Sequence, residues 1–285
     1  MTQLLPDPQV LPPFVTADGL ALHRCLWPAA QPRARLLLVH GLGEHSGRYA
    51  RLAGELNTIG ISVLAYDQRG HGRSPGPRGG GGAHHDTLAR DCCALFSAFA
   101  AEGEDTPLLL GHSLGGMVVT YATVVLGLRP RGLVASSPAL ASHASAAQRT
   151  LARVMNRLWP GLSLRNGLPA DKLSHDPAVV RAYLSDPLCH DRISARLAQF
   201  IFSGGDAARA AAPTLAVPML LQIAGSDALV DPIGEHAFAA AAPANLLQAR
   251  TYPGLYHELY NEAGWARGPV VAHLKDWLGG RLADA

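Results

Sequence analysis

Short, continuously apolar runs alternate in this sequence with longer segments whose apolar residues recur at helical spacing. A short apolar run bounded by turn residues indicates a strand buried on both faces, and such strands belong to parallel sheets covered by helices. The alternation therefore predicts an α/β fold with a mostly parallel central sheet and helices on both of its faces. The predicted strands are 36–39, 61–66, 107–110, 133–135 and 218–223, and the predicted helices are 52–59, 88–101 and 114–126.

Two further features complete the predicted core. Residues 14–27, with Asp18-Gly19 at their centre, predict a hairpin added at one edge of the sheet. The length of 285 residues fits one domain with a sizeable insertion better than two independent domains.

The strand signal stops between about residues 140 and 213. Three helices are predicted there. The first lies around 151–159 and ends at Pro160-Gly161, and the second begins at Asp176-Pro177. The third begins at Ser194 and ends at Gly204-Gly205. We predict that 141–213 forms a helical cap inserted between a first core part, 1–140, and a second, 214–285. The alternative is that these helices only cover one face of the sheet.

Composition and charge exclude several classes of protein. The chain is 48% hydrophobic and 16% charged, which is enough to build a core, and its 24 basic and 22 acidic residues give no case for a nucleic-acid partner. The four cysteines show neither C-x-x-C nor a zinc spacing, so neither a metal ribbon nor a disulfide framework is expected. No metal ligand set is visible elsewhere in the sequence, and no cofactor is expected. Neither a signal peptide nor the ~20 apolar residues of a membrane span is apparent, which predicts a soluble, cytoplasmic protein.

The pentapeptide GHSLG at 111–115 lies between a predicted strand and a predicted helix. This is G-x-S-x-G in the strand–turn–helix context of a nucleophile elbow, in which a sharp turn raises the serine hydroxyl above the sheet. The helix that follows offers free N–H groups and a partial positive charge beside that hydroxyl. We therefore predict Ser113 as a nucleophile, against the alternative of an ordinary βα turn.

A serine nucleophile needs a base, and the base needs an acid to orient it. Asp227 directly follows the predicted strand 218–223, and His257 follows a turn 30 residues later, so we predict Asp227 as the acid and His257 as the base. Asp231 is a rival acid, although with Pro232 it could instead cap a helix. His236 and His273 are rival bases, but they lie in helical surroundings.

The loop after the strand 36–39 is rich in glycine, so its backbone can approach a ligand closely. We predict that the N–H groups of Leu42 and Leu114 form an oxyanion hole, with a plain tight turn at 40–43 as the alternative.

Other clusters favour structural interpretations. The sequence His84-His85-Asp86 follows the glycine run 79–82 and fits a flexible loop better than a metal site. Arg69 and His71 are expected to organise a loop by hydrogen bonds, and the pair Cys92-Cys93 to be buried.

Several motifs converge on one family. HGLGEHSGRY at 40–49 closely resembles the signature loop of monoacylglycerol lipases and related lysophospholipases, and DQRGHGRS at 67–74 resembles their next block. The elbow at 111–116 is similar to theirs as well. Further similar stretches are 186–188 with 193–196, 225–231, and 257–262. The resemblance spans about 20–278, and the chain departs from the family at 79–85.

The resemblance implies an α/β-hydrolase fold with a helical cap, a triad of Ser113, Asp227 and His257, and oxyanion donors at Leu42 and Leu114. It implies a serine ester hydrolase that cleaves esters with a single acyl chain, foremost monoacylglycerols, through an acyl-enzyme. The alternatives are a lysophospholipase, a short-chain carboxylesterase or an acyltransferase on the same triad, and a non-catalytic binding protein of the same fold.

The first predicted cap helix combines an apolar stripe with a row of basic residues. The stripe is Leu151, Val154, Leu158 and Trp159, and the row is Arg149, Arg153 and Arg157. Such a helix is able to rest on a lipid surface, so transient contact with a membrane or micelle is one expectation. The alternative is that the stripe packs against the sheet domain and the row is a solvated face.

Overall fold

The computed structural model describes residues 7–283, so residues 1–6 and 284–285 of the two predicted core parts lie outside the described residues. The strands of the described residues are β1 (Gln9–Val15), β2 (Ala21–Trp27), β3 (Ala34–Val39), β4 (Ile61–Tyr66), β5 (Leu108–His112), β6 (Leu133–Ser136), β7 (Ser163–Arg165), β8 (Arg192–Ser194), β9 (Met219–Ala224) and β10 (Leu247–Tyr252). Eight of these ten strands form one sheet in the order β1-β2-β4-β3-β5-β6-β9-β10.

The sheet is parallel from β4 to β10, and β2 pairs antiparallel with both β1 and β4. The predicted hairpin is therefore present at one edge.

The helices are α1 (Ala50–Asn57), α2 (Thr87–Ala101), α3 (Leu114–Val124), α4 (Ala146–Leu158), α5 (Pro177–Ser185), α6 (Ala195–Ala210), α7 (Pro232–Ala241) and α8 (Gly264–Ala283).

Hydrophobic cores lie on both faces of the sheet because successive side chains of a strand point to opposite sides. In β3, Leu37 and Val39 pack on the side of α2 and α3, whereas Leu36 and Leu38 pack on the side of α1 and α8. All four side chains are fully buried, and each contributes ~1.5–3 kcal/mol to the stability of the fold. The continuous apolar runs of the sequence reflect this burial on both faces.

The segment between β6 and β9 contains α4, α5 and α6, together with a small antiparallel sheet of β7 and β8. The expectation that no strand occurs there was wrong. These strands have three residues each and pair Ser163 with Ser194 and Arg165 with Arg192, which is too short for an alternating pattern to appear in the sequence.

Helix α6 begins as predicted, since the side chain of Ser194 accepts a hydrogen bond from the Leu197 N–H. Its predicted end was wrong, because the helix continues through Gly204-Gly205 to Ala210. A Cβ atom at Gly205 would lie 2.7 Å from the backbone oxygen of Leu140. These glycines therefore allow the helix to pack closely on the core, and they do not terminate it.

The helices between β6 and β9 differ in what they cover. Leu197 and Phe200 of α6 are buried in the core on the α3 side of the sheet. None of the thirteen described residues of α4 is buried, and its apolar stripe faces solvent. The exposed fractions are 59% for Leu151, 47% for Val154, 55% for Leu158 and 59% for Trp159. The alternative in which this stripe packs on the sheet domain is therefore wrong.

The glycine run 79–82, expected to be a flexible loop, is hydrogen-bonded to the cap. The Ser194 N–H donates to the Gly79 carbonyl at 2.9 Å, and the Arg196 guanidinium donates to the carbonyls of Gly82 and Ala83. The run thus supports the start of α6. Within residues 7–283, no helix is long and apolar enough to cross a bilayer.

Candidate active site

Ser113 lies between the last residue of β5 and the first residue of α3. Its φ of 55° and ψ of −118° are rare for a residue with a side chain, and such conformations cost about 1–3 kcal/mol. The turn is possible because a Cβ at Gly111 would lie 2.3 Å from the Gly115 oxygen, and one at Gly115 would lie 2.2 Å from the Val39 oxygen. The spacing of the two glycines therefore follows from the close approach of strand and helix.

The structure brings the three residues of the predicted triad together. The Ser113 Oγ lies 2.8 Å from His257 Nε2, and His257 Nδ1 lies 2.6 Å from Asp227 Oδ2. The other carboxylate oxygen of Asp227 accepts hydrogen bonds from the N–H groups of Leu229 and Val230. The carboxylate is thereby fixed at the end of β9, and the serine hydroxyl faces the ring nitrogen that would take its proton.

The rival residues lie apart from this chain of hydrogen bonds. The side chain of Asp231 accepts from the Ile233 N–H and caps α7. His236 is exposed on α7, and His273 is bonded to Tyr252 and Gln248.

Burial and charge act in opposite directions on this triad. Burial lowers the pKa of His257, but the negative charge of Asp227 and their hydrogen bond outweigh it, so the pKa of His257 lies above its ordinary value. Burial raises the pKa of Asp227, whereas the His257 charge and hydrogen bonds bring it below its ordinary value. The neighbouring His112 is buried beside His257, and this burial lowers the pKa of His112 to about 4. The field of the site therefore stabilises a positive charge on His257.

Leu42 and Leu114 both line the cavity that contains Ser113. Leu114 is the first residue of α3, and the first N–H groups of a helix have no partner within the helix. Leu42 follows β3 in a loop that Glu44 holds in place. The Oε1 atom of Glu44 accepts hydrogen bonds from the Gly41 N–H and the Tyr49 hydroxyl.

Two cavities meet at Ser113. One has a volume of about 320 Å³ and is mainly apolar. Its apolar lining includes Leu42, Leu114, Ala139, Ala141, Ile193, Ile201, Phe202, Leu229 and Val230. The other, termed the polar cavity for its charged groups, has a volume of about 210 Å³ and combines charged side chains with apolar ones, among them Leu168, Leu173, Leu184 and Leu229. Its polar lining includes Glu44, Arg48, Tyr183, Asp191, His257 and Glu258.

A buried ion cluster forms one wall of the polar cavity. The Arg48 guanidinium donates to Glu44 at 2.7 Å and to both oxygens of Glu258 at 2.7 and 2.8 Å. It also lies 5.1 Å from the ring centroid of Tyr183 on α5. Burial raises the pKa of Glu44, but the charge of Arg48 outweighs it and brings the pKa to about 2.

Sequence reasoning missed this cluster. The signals were Glu44 and Arg48, four residues apart in the signature loop, and Glu258 directly after the predicted base. Nothing in the sequence links Arg48 to Glu258, because 210 positions separate them.

The other clusters noted in the sequence have structural contacts. Arg69 binds the carboxylates of Asp18 and Asp91, as a residue that organises a loop. Cys92 is buried as expected, whereas Cys93 is half-buried.

Comparisons with known proteins identify the family. Residues 30–264 match the Hydrolase_4 family, described as Serine aminopeptidase, S33. The sequence is 33% identical to the monoacylglycerol lipase of Mycolicibacterium smegmatis, over 87% of this chain and 90% of that protein. An uncharacterised abhydrolase domain-containing protein of Dictyostelium discoideum is 30% identical over 95% of this chain, which spans 29% of that protein's length.

The fold has close counterparts among solved structures. The crystal structure of the Paleococcus ferrophilus monoacylglycerol lipase superposes with a TM-score of 0.84 at 35% identity, over 91% of this chain and 99% of that one. The prediction of an α/β-hydrolase fold is thereby confirmed. The chain belongs to the Hydrolase_4 family and is a serine ester hydrolase related to the monoacylglycerol lipases.

Proposed function

We propose that Ser113, His257 and Asp227 form a catalytic triad that hydrolyses esters in two steps. His257 takes the proton of Ser113 as the Oγ atom attacks the ester carbonyl, and it then gives that proton to the departing alcohol. A water molecule, deprotonated by the same imidazole, attacks the acyl-enzyme and releases the fatty acid. Asp227 holds the ring with its proton on Nδ1 and stabilises the imidazolium, in agreement with the raised pKa of His257.

We assign the oxyanion hole to the N–H groups of Leu42 and Leu114. Both residues border the space next to the Ser113 Oγ, where negative charge develops in the tetrahedral intermediate. Loss of one such donor typically raises the activation barrier by ~3–4 kcal/mol.

The substrate that we propose is a monoacylglycerol. The observation that carries this proposal is the position of Ser113 at the meeting point of two cavities, one lined mainly by apolar side chains and one that adds a cluster of charged side chains to an apolar lining. The apolar cavity suits one acyl chain, and the polar cavity suits a small alcohol with several hydroxyl groups.

The charges of the polar cavity favour a neutral alcohol over a phosphate-bearing one. Three carboxylates, those of Glu44, Asp191 and Glu258, line it together with the guanidinium of Arg48. Asp191 is also paired with Arg165 at 2.9 Å, so the excess negative charge comes from Glu44 and Glu258. Arg48 is already bound by Glu44 and Glu258, so an anionic headgroup would meet net negative charge. We therefore place a lysophospholipase second, with a short-chain carboxylesterase or an acyltransferase as further candidates.

We also propose that the cap, 141–213, controls access to Ser113 and contacts the lipid phase. Its residues Ile193, Ile201 and Phe202 line the apolar cavity, which supports a role in acyl binding. The exposed stripe of α4 supports contact with a micelle or membrane, where an amphipathic helix buries its apolar side and places arginines near the headgroups.

Product analysis tests the substrate. Purified enzyme is incubated with mono-, di- and triacylglycerols, a lysophospholipid, and p-nitrophenyl esters of increasing chain length, with and without an added alcohol. We expect the highest kcat/KM on monoacylglycerol, with free fatty acid as the product. A preference for the lysophospholipid would overturn the charge argument, and transfer of the acyl group to the added alcohol would instead assign an acyltransferase.

A further inference from the structure

Among the residues that the structure describes, one group of three side chains has the composition of a metal site. The group consists of His45, Asp186 and Cys189, and their ligating atoms lie within 4.8 Å of one another. His45 comes from the loop after β3, whereas Asp186 and Cys189 follow α5 in the cap. Motif spacing in the sequence could not indicate this group, because 141 positions separate His45 from Asp186.

We propose that this group binds a divalent transition-metal ion of the zinc type and thereby ties the cap to the core. An imidazole, a carboxylate and a thiolate are the three ligand classes that zinc uses. The ion would lie outside the triad, and ester hydrolysis does not require it.

The geometry is close to that of a bound ion. Tetrahedral zinc, with bonds of ~2.0–2.3 Å, places its ligand atoms about 3.3–3.6 Å apart. His45 Nε2 and Asp186 Oδ2 are 2.9 Å apart, so they need to separate slightly. Cys189 Sγ lies within 4.8 Å of both atoms, so it needs to approach them by no more than about 1.2 Å. The second oxygen of Asp186 accepts from the Leu188 N–H at 2.8 Å, which holds the carboxylate in orientation as an outer contact of a metal ligand does.

Binding has a defined proton balance. Nδ1 of His45 accepts a hydrogen bond from the Gly47 N–H, so the ring proton is on Nε2 and points to Asp186. Coordination through Nε2 moves that proton to Nδ1 and breaks the hydrogen bond from the Gly47 N–H, so the loop at Gly47 has to move away from the ring. Coordination of Cys189 releases the thiol proton to solvent. Asp186 and Cys189 are half-buried, so an ion can reach them from outside. The nearby charge of Arg48 is balanced by Glu44 and Glu258 and does not oppose entry.

Cobalt titration tests the site, because a thiolate bound to Co²⁺ gives a charge-transfer absorption that water, carboxylate and imidazole do not. We expect one Co²⁺ per chain, with this absorption present in the wild type and reversed by added Zn²⁺. The absorption should be lost in Cys189→Ser, and Asp186→Asn should weaken binding by more than about tenfold. Zn²⁺ should also raise the melting temperature of the wild type in a concentration-dependent manner.

Cys93→Ser provides the matched control, because Cys93 is half-buried like Cys189 but lies on α2. It should bind Co²⁺ as the wild type does. A wild type without thiolate absorption at saturating Co²⁺ would overturn the proposal, whether or not the variants fold. Absorption that persists in Cys189→Ser would overturn it as well.

Discussion

Ser113 is held in an uncommon backbone conformation by its neighbours rather than by its own side chain. Gly111 and Gly115 let β5 and α3 approach closely, and the turn between them directs the hydroxyl to His257. The sequence predicted these residues because the spacing of the two glycines is a local property of five consecutive positions. It did not predict the partners of Arg48, which come from distant parts of the chain.

The choice of acid leads to a first prediction. Asp227→Asn should lower kcat by about 10⁴-fold, because an amide cannot hold the His257 ring in the required tautomer. Steady-state kinetics on a soluble ester measure this. Asp231→Asn is the matched control, since Asn caps a helix as well as Asp does, and its activity should be unchanged. Activity in Asp227→Asn together with inactivity in Asp231→Asn would show that the wrong acid was assigned.

The raised pKa of His257 leads to a second prediction. Only the neutral imidazole accepts the Ser113 proton, so kcat/KM should fall as the pH decreases through the pKa of this group. Because the charge of Asp227 raises that pKa, the decrease should begin above the ordinary histidine value of about 6.5. A pH profile on a non-ionising ester measures the midpoint, and a rate that stays constant from about pH 5 to 9 would contradict a histidine base.

At the scale of elements, α6 shows why a glycine pair was misread as a helix end. Two consecutive glycines usually weaken a helix, but here they remove Cβ atoms at the contact with the core. Local sequence reports helix propensity, whereas this contact depends on where Leu140 lies in the fold. The strands β7 and β8 were missed for a related reason, since pairing of three-residue strands is decided by tertiary structure.

The close packing of α6 leads to a third prediction. Gly205→Ala should destabilise the fold, because overpacking costs ~1–3 kcal/mol and outweighs the gain in helix propensity of ~1 kcal/mol. Gly279→Ala in α8 is the control, since a Cβ there meets nothing within 4 Å and should stabilise the helix. Urea unfolding compares the two, and a Gly205→Ala variant more stable than the wild type would refute the packing argument.

At the scale of the molecule, the core was predictable and the surface chemistry of the cap was not. Strands buried on both faces leave a continuous apolar signal, so β3, β4, β5, β6 and β9 could be predicted from the sequence. The edge strand β10, exposed at 248–251, has no such signal, and neither it nor α7 and α8 was among the predicted elements. An apolar stripe such as that of α4 has the same pattern whether it packs on protein or faces solvent. Only the fold shows that Leu158 is 55% exposed.

The exposed stripe leads to a fourth prediction. Leu158→Ser should leave the melting temperature and the hydrolysis of a soluble short-chain ester unchanged, and it should reduce activity on micelles or vesicles. Val10→Ser is the matched control, because Val10 is 69% exposed on β1 at the edge of the sheet. A lower melting temperature with equal losses on all substrates would contradict lipid contact through α4.

The central claim is that the Ser113 hydroxyl is the nucleophile and that His257 activates it. Intact-mass and peptide mass spectrometry after treatment with a fluorophosphonate test this claim most directly. We expect one adduct per chain, located on Ser113, with activity lost in proportion to labelling and with labelling strongly slowed in His257→Ala. An adduct on another residue, or esterase activity that survives in Ser113→Ala, would contradict the account.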